Sequence, residues 1–137
     1  MFFVKNYIIV FMLCVISFFV LLYAYKSGVL NVKFTTGRIL CSTILNAEIN
    51  YYSHNNKFKY IDRTSFDDEL MIDSRNNLFF PSFSVYKLKN NKNAISIFGV
   101  NELKNYEMIL EFDENSNVTS NPKKLKVKII KYKKKLK

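Results

Sequence analysis

Hydrophobic and polar positions divide this chain into three regimes. The first is a run of nineteen residues without a formal charge, Tyr7 to Tyr25, set between Lys5 and Lys26. Ser17 is its one conspicuous polar interruption. At about 1.5 Å per residue such a helix covers about 28 Å, close to the hydrocarbon thickness of a bilayer. A secretory leader has a shorter apolar run of about 7–15 residues and a small-residue cleavage site. Ala24-Tyr25-Lys26-Ser27 makes a poor site of that kind. The expectation is an uncleaved transmembrane anchor over residues 1–26.

The second regime has helical spacing. Ser27–Gly37, bounded by glycines, reads as a linker or a bent continuation of the anchor helix. From Arg38 to His54, Leu40, Ile44, Ala47 and Tyr51 recur at steps of three and four, which predicts an amphipathic helix. Ile49 and Tyr52 broaden the stripe, and Asn46 and Asn50 face water. Asn55-Asn56 is suited to stopping the helix. Lys57–Asn77 reads as a long connection, in which Thr64 or Ser65 ahead of Asp67, Asp68 and Glu69 could open one helical turn.

The third regime alternates with a period of two. It predicts four strands: Leu78–Tyr86, Ala94–Phe98, Tyr106–Asp113 and Leu125–Ile129. Pro81 confines the first to a strand start or a sheet edge. Alternation with polar partners favours an antiparallel sheet with one covered face, and the amphipathic helix is its natural cover. The fold class is therefore α+β, with the head at 38–137 and a Lys-rich C-terminal tail.

Charge changes this picture only at the end of the chain. Of the formal +10, residues 1–120 contribute +1, whereas residues 121–137 hold nine Lys and no acid. Lys124, Lys126 and Lys128 alternate with Leu125, Val127 and Ile129 and predict a solvated strand face. Lys131, Lys133, Lys134 and Lys135 then read as a frayed tail. Such a tail can hold anionic lipid, at about 1 kcal/mol per well-placed Lys, if it faces the cytoplasmic leaflet. Phosphate of a nucleic acid is a weaker expectation, since the aromatic residues lie elsewhere and nothing reads bases. Flanking charges favour a cytoplasmic head by a single positive charge, too little to decide orientation.

Candidate chemistry is sparse. Cys14 lies within the apolar run and Cys41 beyond it, so no disulfide between them and no paired-Cys metal signature is expected. His54 is the sole histidine and reads as a surface turn residue. Asp67, Asp68, Glu69 and Asp73 read as capping and solvated groups. Asp113, Asn115 and Asn117 begin like a calcium loop, but Val118 replaces its Gly and Lys124 its Glu. Asn117-Val118-Thr119 is a glycosylation sequon only in a glycosylating compartment. Neither an enzymatic activity, a metal nor a cofactor is expected.

The order of elements resembles the type IV pilin and pseudopilin superfamily. Asn50-Tyr51-Tyr52-Ser53-His54-Asn55-Asn56-Lys57-Phe58 is similar to the family pattern in which paired aromatics end the long helix before an Asn-Gly-Lys-Tyr-like turn. Asp68-Glu69-Leu70-Met71-Ile72-Asp73 resembles the short acidic and apolar segment that precedes the pilin sheet. The usual processing motif is missing, because MFFVKNYIIV contains neither its Gly nor its Glu.

The resemblance implies a structural or assembly component of a pilus-like or secretion apparatus, with an extracytoplasmic head. Its partners would be the bilayer and other proteins of the assembly, itself included. Tyr51 and Tyr52 are the contact candidates on the helix, with core packing the competing role for Tyr51. Lys126, Lys128, Lys133, Lys134 and Lys135 are the candidates at the basic end. The alternative is a membrane-anchored cytoplasmic adaptor that binds anionic lipid or nucleic acid through that end.

Overall fold

The computed structural model describes residues 2–116 and 121–133 and divides the chain into two compact units, Met1–Phe34 and Thr35–Lys137. One helix, α1 (Phe2–Asn55), supplies the first unit and opens the second. Residues 27–37, expected as a linker or bent continuation, are helical throughout. In the first unit Ile9, Phe11, Leu13, Phe18 and Leu21 are all exposed, and no residue of the most apolar stretch is buried. Such a row of uncovered apolar side chains suits lipid as solvent, and the run is long enough to cross a bilayer. It supports single-pass membrane association.

The second unit is an α+β head, as expected. Its sheet is five-stranded and antiparallel, in the order β1-β4-β5-β6-β7. The strands are β1 (Ile61–Thr64), β4 (Ser82–Lys87), β5 (Asn93–Phe98), β6 (Tyr106–Phe112) and β7 (Lys128–Lys131). Between β1 and β4 the chain makes a small separate ladder, β2 (Phe66–Asp67) with β3 (Ile72–Asp73). Alternation gives the sheet two unlike faces. Phe83, Val85, Ile95, Ile97, Met108, Leu110 and Phe112 lie on one face, each 4 % exposed or less. Each such side chain gains about 1.5–3 kcal/mol by leaving water.

The C-terminal part of α1 covers that face with Leu40, Cys41, Ile44, Leu45 and Glu48. Gly37 marks a close approach. A Cβ there would press on Met108 Sδ and lie 2.9 Å from Phe80 Cε2 and 3.1 Å from Ile97 Cδ1. Inside a helix Gly costs about 1 kcal/mol relative to Ala, and here the absent Cβ lets the helix settle onto the sheet. The helix ends in a left-handed cap. Asn56 has φ 53° and its N–H donates to Tyr52 O at 2.8 Å.

Four expectations are corrected. Ala47 and Tyr51 lie at the edge of the covered stripe, half-buried, while Cys41, Leu45 and Glu48 face the sheet. The connection 57–77 contains three short strands; where a helical turn was expected, residues 68–71 form the β2–β3 turn. The first expected strand starts late, at Ser82, because Asn77 Oδ1 accepts the N–H groups of Phe79 and Phe80 at 3.1 and 2.9 Å and holds the segment in a turn. The last strand runs Lys128–Lys131 rather than Leu125–Ile129. Pro122–Lys124 forms a 3-10 turn, so Lys124, Lys126 and Lys128 do not share one strand face.

Candidate interaction surface

The end of α1 and the loops after it carry one group of polar and aromatic contacts. Tyr52 stacks on Phe58 at 4.5 Å between ring centroids, and Phe58 meets Phe112 edge-on at 5.2 Å. The Tyr52 hydroxyl donates to Glu114 Oε2 at 2.8 Å, and this bond raises its pKa. Tyr52 therefore ties the helix end to the β6 end of the sheet.

Tyr51 occupies the opposite side of the helix end. With Thr43, Asn46, Asn50, Leu70 and Met71 it lines an open groove of about 630 Å³ between α1 and the β2–β3 turn. Partial burial and the Glu69 carboxylate both raise the Tyr51 pKa. Met71, at the tip of that turn, has φ 55° and is 88 % exposed. Neither tyrosine is wholly buried: Tyr51 borders a groove, and Tyr52 belongs to an aromatic stack. His54 contacts Asn50 O at 2.8 Å through Nδ1; it is exposed, as expected, but lies in the last turn of the helix rather than in a turn after it.

Beneath this surface is a buried carboxylate. Glu48 is 0 % exposed; its Oε2 accepts the Lys59 N–H at 3.0 Å, and Oε1 has no partner among the described residues. Burial pushes its pKa to about 7, against the pull of the Lys59 amide and charge, with Asp67 adding to the rise. The Lys59 ammonium bridges to Asp67 Oδ2 at 2.8 Å and Glu69 Oε2 at 3.3 Å. Desolvation opposes the Lys59 charge, but the two carboxylates outweigh it and raise its pKa. For Asp67 burial likewise acts upward, and the Lys59 bond prevails and lowers it. Lys59 thus fastens the helix exit to the β2–β3 ladder.

The outer face of the sheet carries a second network. Ser96 Oγ donates to Glu107 Oε1 at 2.7 Å, and the Tyr132 hydroxyl donates to Glu107 Oε2. Ser96 also meets Tyr86 OH at 3.1 Å. Tyr132 N–H donates to Asn105 O at 2.8 Å, so the chain is still held to the sheet one residue beyond β7. This corrects the frayed tail expected from Lys131, which lies in β7 with its ammonium 5.4 Å from the Tyr106 ring centroid. Lys126 is exposed before β7, Lys128 is exposed in it, and Lys133 is exposed after it. Lys134, Lys135 and the sequon Asn117-Val118-Thr119 lie outside the described residues.

Glu48 and Glu107 are not among the residues the sequence singles out, because an acidic side chain is ordinarily solvated. The available signal was register. Glu48 stands four residues after Ile44, and Glu107 falls on the polar face of a strand with a Ser on its neighbour. Among the described residues no group of three metal-ligating side chains converges. Compared with family models, curated proteins and solved structures, the chain gives no match.

Proposed function

We propose that this chain is a pilin-like structural or assembly component of a membrane apparatus, with its head outside the cytoplasm, and that it works by packing rather than by catalysis. One observation carries the reading: a single helix, α1, provides both the lipid-suited apolar segment and the strip that covers an antiparallel sheet. The architecture resembles that of pilins. In this reading the bilayer gathers subunits in a common orientation. The head then offers two kinds of contact, the groove beside Tyr51 and the basic end around Lys128.

Amine cross-linking in intact membranes tests the assembly role. Many lysines of the head are exposed, so neighbouring subunits should yield products at multiples of 16.2 kDa, or one discrete product with another membrane protein. A chain that remains wholly monomeric at native abundance, under conditions that cross-link a known membrane oligomer, contradicts it.

A further inference from the structure

β7 ends the strand order of the sheet, so its outer edge pairs with no strand among the described residues. Its register opposes Tyr106 to Lys131, Glu107 to Ile130, Met108 to Ile129 and Ile109 to Lys128. The Tyr132 N–H bonds to Asn105 O, which fixes the phase of the ladder. Antiparallel bonds recur at every second residue, so Ile130 and Lys128 bond inward and the N–H and C=O groups of Ile129 and Lys131 point to the open edge. The opposite edge is less regular: β1 shifts register between Ile61 and Thr64.

Side chains state what this edge accepts. Along Lys128-Ile129-Ile130-Lys131 two cations bracket two apolar residues, and Ile129 is 36 % exposed. A second copy paired antiparallel through those outward groups would crowd Lys128 and Lys131 of both copies along one short ladder, gathering like charges. Edge lysines of this kind prevent self-pairing. The same lysines favour a strand that carries acid where they carry base. No stretch of this chain has two acidic residues bracketing two apolar ones, so its own sequence supplies no such strand.

We propose that the outer edge of β7 binds an extended segment of a partner protein with the pattern acid–apolar–apolar–acid, added as a sixth strand. Main-chain bonds to Ile129 and Lys131 would hold the segment, and the bracketing charges would select it and reject a second copy. The surface stands independently of a pilus-like role.

The test uses the full chain in nonionic detergent with a short Thr-Glu-Val-Val-Glu-Thr peptide, and Thr-Lys-Val-Val-Lys-Thr as its counterpart. The acidic peptide should slow amide exchange at Ile129 and Lys131 by about tenfold or more, and leave Lys128 and Ile130 unchanged. Lys128→Glu with Lys131→Glu should reverse the preference between the peptides. Ile129→Pro, which removes an outward amide and no ladder bond, should abolish protection while the exchange of β5 and β6 amides reports an intact sheet. Equal binding of both peptides, or binding without protection at these two amides, overturns the proposal. So does preferential binding of phosphatidylserine vesicles over the acidic peptide, which assigns the lysines to a lipid surface.

Discussion

Glu48 and Lys59 are joined by a part-buried hydrogen bond: the Lys59 amide donates at 3.0 Å to Oε2 of Glu48, a residue that is 0 % exposed. The bond fixes the path of the chain four residues beyond the end of α1. It also leaves one carboxylate oxygen in the core without a partner among the described residues. A carboxyl in that position is better accommodated with its proton on, and the fold therefore depends on pH.

The sign follows from the shift. Glu48 has a folded pKa of about 7 against an ordinary value of 4.5, so the folded state binds the proton more tightly. This group's contribution is fully present below pH 4.5 and is lost as pH rises toward 7 and above. The loss amounts to about 3 kcal/mol at most, at 1.36 kcal/mol per pH unit. Denaturant midpoints should fall between pH 5 and pH 8, and Glu48→Gln should flatten that slope. Asp67 and Asp73, whose pKa values are lowered, act in the opposite sense at more acidic pH, below this window. An unchanged slope in the Gln variant sinks the assignment.

Two glycines of the same helix should respond in opposite directions. At Gly28 a Cβ meets nothing within 4 Å, so Gly28→Ala should hold or raise stability, by up to about 1 kcal/mol of helix propensity. At Gly37 the same atom meets Met108 and Phe80, and Gly37→Val should cost about 1–3 kcal/mol through forced displacement in the core. Unfolding in detergent, followed by near-ultraviolet circular dichroism, compares the pair. Equal tolerance at both positions would remove Gly37 as a point of close approach to the sheet.

The two thiols should differ in reactivity. Cys41 is 0 % exposed, and burial, tempered by Arg38, pushes its pKa up to about 12. Cys14 is exposed on the apolar segment. A water-soluble maleimide should leave Cys41 unmodified until the head unfolds, and a lipid-soluble one should reach Cys14 in membranes. Rapid aqueous labelling of Cys41 in the native state contradicts the packing of α1 on the sheet.

Tyr52 separates a hydrogen bond from a stack. Tyr52→Phe removes only the bond to Glu114 and should cost about 1 kcal/mol or less. Tyr52→Ala also removes the ring from Phe58 and should cost about 2–3 kcal/mol by apolar burial. Chemical denaturation of both variants provides the comparison, and identical losses would show that the stack contributes nothing.

The apolar run, the helical periodicity after Arg38 and the alternation in the central strands were legible because each repeats one signal over many residues. β5 and β6 lie within a residue of their expected bounds. The three short strands before Pro81 were not legible: two of them are two residues long, too short for any period to show. β7 was displaced because Leu125-Lys126-Val127 alternates like a strand, whereas Asn121 and Pro122 lock a 3-10 turn just before it. At the candidate surface Tyr51 and Tyr52 could be named but their division of labour could not, since it depends on Phe58, Glu69 and Glu114 from three later segments. The buried carboxylates were hidden for a simpler reason, in that a polar letter on a buried face looks the same as one in water.

The side of the membrane that holds the head decides the account most directly. A C-terminal epitope, with protease added on the non-cytoplasmic side of the anchoring membrane, reads it. The account predicts loss of the epitope while a fragment containing Tyr7–Tyr25 stays with the membrane. An epitope that survives until the membrane itself is opened places the head in the cytoplasm and contradicts the pilin-like assembly role.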